Sequence, residues 1–220
     1  MSDGTGGFGA TTLDAFTAYL ASAEPVPGGG SAAAVAASLG AALAVMVARL
    51  SQGRPRYVSY RATLERAIQA GESARLRFLQ LADIDAHAYA GYAAAMKLPR
   101  DSEEQREARA AALAEAAKAS TLAPLETVRL CQTAVGVVET LAGRCNVNAS
   151  SDLNVAALLL DAASEGAAAN VRVNLPFVTD AAFAARAAAE VTQAVAATHA
   201  LAAEVQRIVG AGTVRHPETR

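Results

Sequence analysis

Asp85, in the stretch "LADIDAHAYAGY", is a carboxylate in an unusual place. With Phe78, Leu81, Tyr89, Tyr92 and Met96 on a helix, the steps between these residues are three or four positions, so Asp85 shares their apolar seam. A carboxylate there is costly unless it is paired, and burial raises its pKa towards the range a general acid or base needs. Two readings follow from periodicity: a proton-transfer group, or a bundle carboxylate satisfied by an Arg. Asp83 and His87 lie four apart on a different face and are expected to pair with one another.

Two further stretches carry polar chemistry. In "PVPGGGSAAAV", Gly28, Gly29, Gly30 and Ser31 precede an Ala-rich helix, and free backbone N–H groups without side chains in the way suit an anion or a flat ligand. A plain turn is the alternative, because glycine also serves wherever the backbone needs positive φ. The stretch is neither a P-loop nor a dinucleotide fingerprint, since no Lys-Ser/Thr follows and no strand precedes it. In "NVNASSDLNVAALLLDAASEGAAANVRVN", Asp152, Ala156, Leu159, Ala163, Gly166, Asn170 and Asn174 fall on one helical stripe. That stripe predicts either a polar pocket or a close helix crossing. With Asn146, Asn148 and Ser151 upstream, the segment is rich in neutral donors and acceptors that suit a flat heterocycle. Lys97 and Arg100, at a charged junction, could meet substrate carboxylates.

These residues must be positioned by helices. The 220-residue chain is 53% hydrophobic but only 5% aromatic, with no Trp, a composition suited to helices packed through small side chains. No period-2 run of useful length occurs. Thr11 or Thr12 caps a first helix to about Ser22, and Ser31 is expected to cap a second. A long helical pattern spans Tyr57 to Lys97. Ser102 and Gln105 form a capping box for a helix to about Gly143, which Pro124 should kink or split. Ser151 is expected to cap a helix to about Arg172, and Thr179 or Asp180 opens the last, to Gly210. The predicted fold is all-α: one domain over residues 11–210, a bundle of five to six long antiparallel helices, with residues 1–10 disordered and 211–220 a flexible tail.

Composition also excludes partners. A net charge of −2 gives no phosphate-backbone footprint, so no nucleic acid is expected. The apolar run Ala32–Ala48 is at the short limit for a membrane span and is mostly alanine, so it is read as buried in the bundle. Two isolated cysteines, Cys131 and Cys145, predict neither a disulfide scaffold nor a zinc site, and point to a reducing, cytoplasmic setting.

"PVPGGGS", Asp85 in "DAHAY", "KLPR", "NVNASSD" and "GAAANVRVN", in that order, resemble the cyclodeaminase/cyclohydrolase family of folate enzymes over about Leu13 to Val209. The chain departs from its pattern at Cys145, where the family commonly has Gly, and carries His87 at a position where members vary. The resemblance implies a homodimer of helical subunits, with a tetrahydrofolate derivative bound near the subunit interface and no metal or further cofactor. It implies Asp85 as the proton-transfer group. It assigns Gly28, Gly29, Gly30, Ser31, Asn146, Asn148, Ser151, Asp152, Asn170 and Asn174 to the substrate pocket. The expected activity is hydrolysis of 5,10-methenyltetrahydrofolate, favoured because no formiminotransferase segment is attached. Release of ammonia from formimidoyltetrahydrofolate, and a non-catalytic folate-binding role, are the alternatives. Whether the Gly28–Ser31 loop meets the folate ring or its glutamate tail stays open.

Overall fold

The structure, a computed structural model, describes residues 7–217. Among the described residues the chain is helical without strands. It comprises α1 (Leu13–Leu20), α2 (Gly29–Ser51), α3 (Arg61–Met96), α4 (Glu103–Leu141), α5 (Ser150–Asn174) and α6 (Ala181–Gly210). Short 3-10 turns at Phe8–Ala10, Pro55–Tyr60, Val147–Ala149 and Leu175–Phe177 join or flank them.

Helices α2, α3, α4 and α5 form a four-helix ring in which each packs on the next and α5 closes back on α2. Helix α6 lies outside, across α4 and α5. Small residues set this closeness. A Cβ at Gly71 would lie 2.6 Å from a Val45 methyl at the α2–α3 crossing. One at Gly40 would lie 3.0 Å from the Ala156 carbonyl at the α2–α5 crossing. The main core, with Phe78, Leu81, Val135, Leu153 and Leu160 fully enclosed, sits inside the ring. A second apolar cluster, including Val128, Val171 and Val191, seals α6 against α4 and α5. Helix α2 has the length and hydropathy of a membrane span, yet 61% of its apolar window is buried within the bundle.

Local signals held at several helix starts. Thr12 accepts from the Ala15 amide, Asp180 accepts from the Phe183 amide, and Ser102 and Gln105 make both halves of a capping box. Two expected caps are corrected. Gly28, not Ser31, is the N-cap of α2, and the hydroxyl of Ser31, in the first turn, points to α3 instead. Ser151 lies inside α5, whose N-cap is Ala149 at the end of a 3-10 turn.

The termini also differ from expectation. Residues 1–6 lie outside the described residues, but Phe8–Ala10 form a turn held by the Phe8 amide donating to Asp83 Oδ1 at 2.7 Å. Beyond α6 the chain folds back over the α4–α5 junction. The Arg215 amide donates to the Gly143 carbonyl, the Arg215 carbonyl accepts from Tyr60 Oη, and Arg144 Nε donates to the His216 carbonyl.

Pro124 lies inside α4, which runs without a break from Glu103 to Leu141. Proline has no N–H to offer the carbonyl four residues earlier. That carbonyl belongs to Ser120, and Asn174 Nδ2 donates to it at 3.0 Å. A side chain from the end of α5 thus supplies the missing donor.

Candidate active site

The first turn of α2, the middle of α3, residue 120 of α4 and the last turn of α5 meet around a cleft of about 350 Å³. Its walls include Gly28, Gly29, Gly30, Asp85, Tyr89, Tyr92, Ser120, Asn170, Asn174 and Phe177. Of the residues expected at the site, the structure brings together Asp85, Gly28–Gly30, Asn170 and Asn174 in this cleft, with Ser31 directly behind Asp85.

Asp85 is the chemical centre of this cleft. Ser31 Oγ lies 3.1 Å from Asp85 Oδ2 and 3.0 Å from the Ala82 carbonyl oxygen. The hydroxyl carries one proton for these two acceptors. When that proton goes to Ala82, the Asp85 contact is a hydrogen bond only if the carboxyl is protonated and donates. Burial holds the Asp85 carboxyl above its ordinary range, while the hydroxyl and backbone amide of Ser31 pull it back down. No cation contributes, so an Arg-satisfied structural carboxylate is set aside. The group lies at the α2 N-terminus, whose dipole favours its ionised form. These opposed influences suit a carboxyl that both accepts and gives a proton.

Gly30 makes this placement possible. A Cβ there would lie 2.6 Å from the Asp85 carboxyl carbon and from Oδ2, and closer still to Oδ1. Gly29 faces Asn170, whose Nδ2 would lie 3.5 Å from a Cβ at that position. The glycines are thus a wall thin enough to admit Asp85 and Asn170 to one space.

The remaining predicted residues lie elsewhere. Ser31 and Ser51 are near opposite ends of α2, about 30 Å apart at about 1.5 Å rise per residue. Asn146 belongs to the Ser51 end, where its amide donates to Ser51 Oγ at 2.7 Å. Its side chain is spent on the Asn148 amide and the Leu50 carbonyl. Asn146 is a buried loop clasp, and Asn148, Ser151 and Asp152 accompany it at the far end of α5. The seam from Asp152 to Asn174 is a pocket only at its C-terminal end. Its middle is the close crossing at which Ala156 meets Gly40, and Gly166 meets Ala33.

His87 does not pair with the Asp83 carboxylate. Its Nδ1 donates to the Asp83 carbonyl oxygen at 2.7 Å, and the carboxylate is taken by Phe8. Lys97 and Arg100 do not line the cleft. Both cysteines are buried free thiols, and burial pushes Cys145 up to about 11 and Cys131 higher, so neither is a nucleophile.

Sequence reasoning missed Ser120 and Phe177. It placed Tyr89 and Tyr92 on the Asp85 seam without assigning them to the pocket. The signal for Ser120 was Pro124, whose missing N–H marks the backbone at position 120 as needing an outside partner.

The model of the formiminotransferase-cyclodeaminase family matches residues 12–193. The chain belongs to that family. It is 38% identical over 176 residues to the methenyltetrahydrofolate cyclohydrolase of Methylorubrum extorquens, covering 80% of this chain and 85% of that protein. It is also 38% identical over 174 residues to the formimidoyltransferase-cyclodeaminase of Sus scrofa, of which it spans only 32%. The crystal structure of formiminotetrahydrofolate cyclodeaminase from Thermotoga maritima superposes with a TM-score of 0.83 at 28% identity, over 92% of this chain and 98% of that one. In this chain the cleft is built from Asp85, the thin glycine wall and the two asparagines of α5.

Proposed function

We propose that this protein is a folate one-carbon enzyme that hydrolyses 5,10-methenyltetrahydrofolate to 10-formyltetrahydrofolate. The observation that carries the reading is Asp85: a half-buried carboxyl without a cation, raised by burial, in a cleft lined by aromatic rings and neutral amides. The similarity to a cyclohydrolase over most of that protein's length supports it.

The bridging carbon between N5 and N10 is an amidinium and already electrophilic. Water attacks it, and the Asp85 carboxylate takes a proton from that water, leaving a neutral carbinolamine. As the C–N5 bond breaks, the Asp85 carboxyl returns its proton to N5 and the carbinol hydroxyl gives its proton to solvent. The formyl group stays on N10, one proton is released overall, and Asp85 is again a carboxylate. One group serves both steps because its pKa is raised.

The second reading is the cyclodeaminase, supported by the relatives that bear that name. There N10 attacks the formimino carbon and ammonia leaves, with Asp85 shuttling the proton. A purely binding protein would have little use for a raised carboxyl at this position. Loss of methenyltetrahydrofolate absorbance, run beside ammonia release from formimidoyltetrahydrofolate, separates the three. Hydrolysis that is abolished in Asp85→Asn supports the proposal. Ammonia release alone replaces it with the cyclodeaminase, and neither activity leaves the binder.

The same reading includes a homodimer in a reducing, cytoplasmic setting, which the two free thiols fit. The outer face of α2 and α5 supports the dimer: Leu39, Met46, Leu50, Val155 and Leu158 are 37–53% exposed along two helices of 23 and 25 residues. A two-fold axis perpendicular to these helices would bring the Asn148–Asp152 end of one copy beside the cleft of the other. That arrangement gives those residues a route to substrate.

A further inference from the structure

We infer that Ser120 is a substrate-contacting residue, and that its hydroxyl, with the side-chain carbonyls of Asn170 and Asn174, holds the amino-pyrimidinone edge of the pterin ring. This rests on the folate reading above and fixes which end of the folate enters the cleft.

Ser120 Oγ is buried and has no hydrogen-bond partner. A helical hydroxyl ordinarily bonds the carbonyl one turn back, as Thr121 does to Ala117 and Thr127 to Ala123 in this same helix. Ser120 does not, although its residue lines the cleft. An unmade hydrogen bond at a buried hydroxyl is destabilising, and beside a cleft it leaves the group open to a partner from outside the chain.

The two asparagines are fixed in orientation by their partners. Asn170 Nδ2 donates to the Gly166 carbonyl at 2.9 Å, and Asn174 Nδ2 to the Ser120 carbonyl at 3.0 Å. A carbonyl only accepts, so in each case the amide nitrogen must face the backbone. Both Oδ1 atoms are left over, and neither accepts a hydrogen bond among the described residues. The cleft therefore offers two acceptors and one hydroxyl free to donate.

The pterin edge presents the complementary set: a 2-amino donor, an N3–H donor and a C4 carbonyl acceptor. A glutamate tail presents carboxylates. Those would meet two carbonyl oxygens and the Asp85 carboxyl, in a cleft lined by no Lys or Arg. At the α2 N-terminus, the one feature that would favour an anion, the Ser31 amide already serves Asp85. The ring goes in, and the tail points out.

The test compares the wild-type protein with Ser120→Ala on 5,10-methenyltetrahydrofolate, and wild type on its 2-desamino-2-methyl analogue. Alanine suits the helix interior, so Ser120→Ala is expected to unfold at the wild-type temperature or above it. Its KM should rise about tenfold with a smaller change in kcat. Wild type should lose about 100-fold or more in kcat/KM on the analogue, whose acceptor partners are left unpaired. An unchanged KM in Ser120→Ala overturns the role of Ser120, and equal use of both ligands overturns the ring-edge assignment. In either case methenyltetrahydrofolate turnover still stands. Wild type inactive towards both tetrahydrofolate substrates would instead overturn the folate reading, and this inference with it.

Discussion

The carboxyl group of Asp85 occupies the space that any side chain at position 30 would need, since a Cβ on Gly30 would overlap all three of its atoms. The two residues are 55 apart in sequence, and a glycine in the first turn of α2 is what lets α3 deliver an acid to the helix N-terminus. Gly30→Ala should leave the bundle folded, because the collision falls on a side chain beside an open cleft. It should displace the carboxyl and cut kcat by about 100-fold or more. Steady-state kinetics beside circular dichroism checks this, and wild-type kcat in the variant would show that the position of Asp85 is not critical.

The raised pKa of Asp85 makes a stability prediction with a definite sign. A carboxyl whose folded pKa lies above its ordinary 3.8 favours folding while protonated, and that contribution is lost as pH rises through the folded value. Asp85→Asn removes the ionisable group. Its melting temperature should exceed that of wild type at neutral pH and approach it below about pH 4. Activity should show the opposite loss, as is usual where a site stores unfavourable chemistry.

Ser31 modulates the same group. Its hydroxyl and amide favour the ionised carboxyl, against the larger effect of burial. The acid limb of kcat/KM should lie above the ordinary carboxylate range, and Ser31→Ala should move it further up because the hydroxyl no longer helps hold the charge. A pH–rate profile of both proteins measures the displacement. A limb that stays in place would mean that another group titrates in the rate.

Much of this was legible in the sequence, and the division has a physical basis. Thr12, Ser102 with Gln105, and Asp180 were readable because a cap acts within its own turn. The grouping of Asp85 with the glycine stretch and with Asn170 and Asn174 comes from the family resemblance, because periodicity within one helix says nothing about which other helix faces it. The grouping of Asn146, Asn148, Ser151 and Asp152 with them was not found in the single chain, because a helical stripe gives angular phase and no axial distance. Asp152 and Asn174 share a face of α5 but lie about 33 Å apart along it. The packing of residues 213–216, within the tail expected to be flexible over 211–220, is not legible in the sequence because its partners, Gly143, Tyr60 and Glu139, are far away along the chain.

The exposed face of α2 and α5 makes a prediction about assembly. Leu39 and Leu158 are 53% and 52% exposed, so a charge at either site costs the isolated subunit little. Leu39→Glu with Leu158→Glu should convert a dimer to a monomer of unchanged helicity, read by light scattering and circular dichroism. If Asp152 and its neighbours serve the second copy's cleft, activity should fall with the dimer. A wild-type protein that is monomeric at micromolar concentration would remove this face from the proposal.

Asn174 has two duties, and a double substitution separates them. Its Nδ2 supplies the donor that Pro124 denies the Ser120 carbonyl, across 54 positions of sequence. Its Oδ1 is the group left for substrate. Asn174→Leu should therefore cost about 1 kcal/mol of stability, the low end of the penalty for an unpaired acceptor because this one is only partly buried, and should weaken substrate binding as well. Adding Pro124→Ala restores an intrahelical N–H to Ser120, so the double variant should recover most of the lost stability. It should not recover KM, because the amide oxygen is still missing. Denaturant unfolding and steady-state kinetics on the four proteins of the cycle give both numbers. Recovery of KM together with stability would show that Asn174 acts only by repairing the helix. Recovery of stability alone would show that the same amide also reads the ligand.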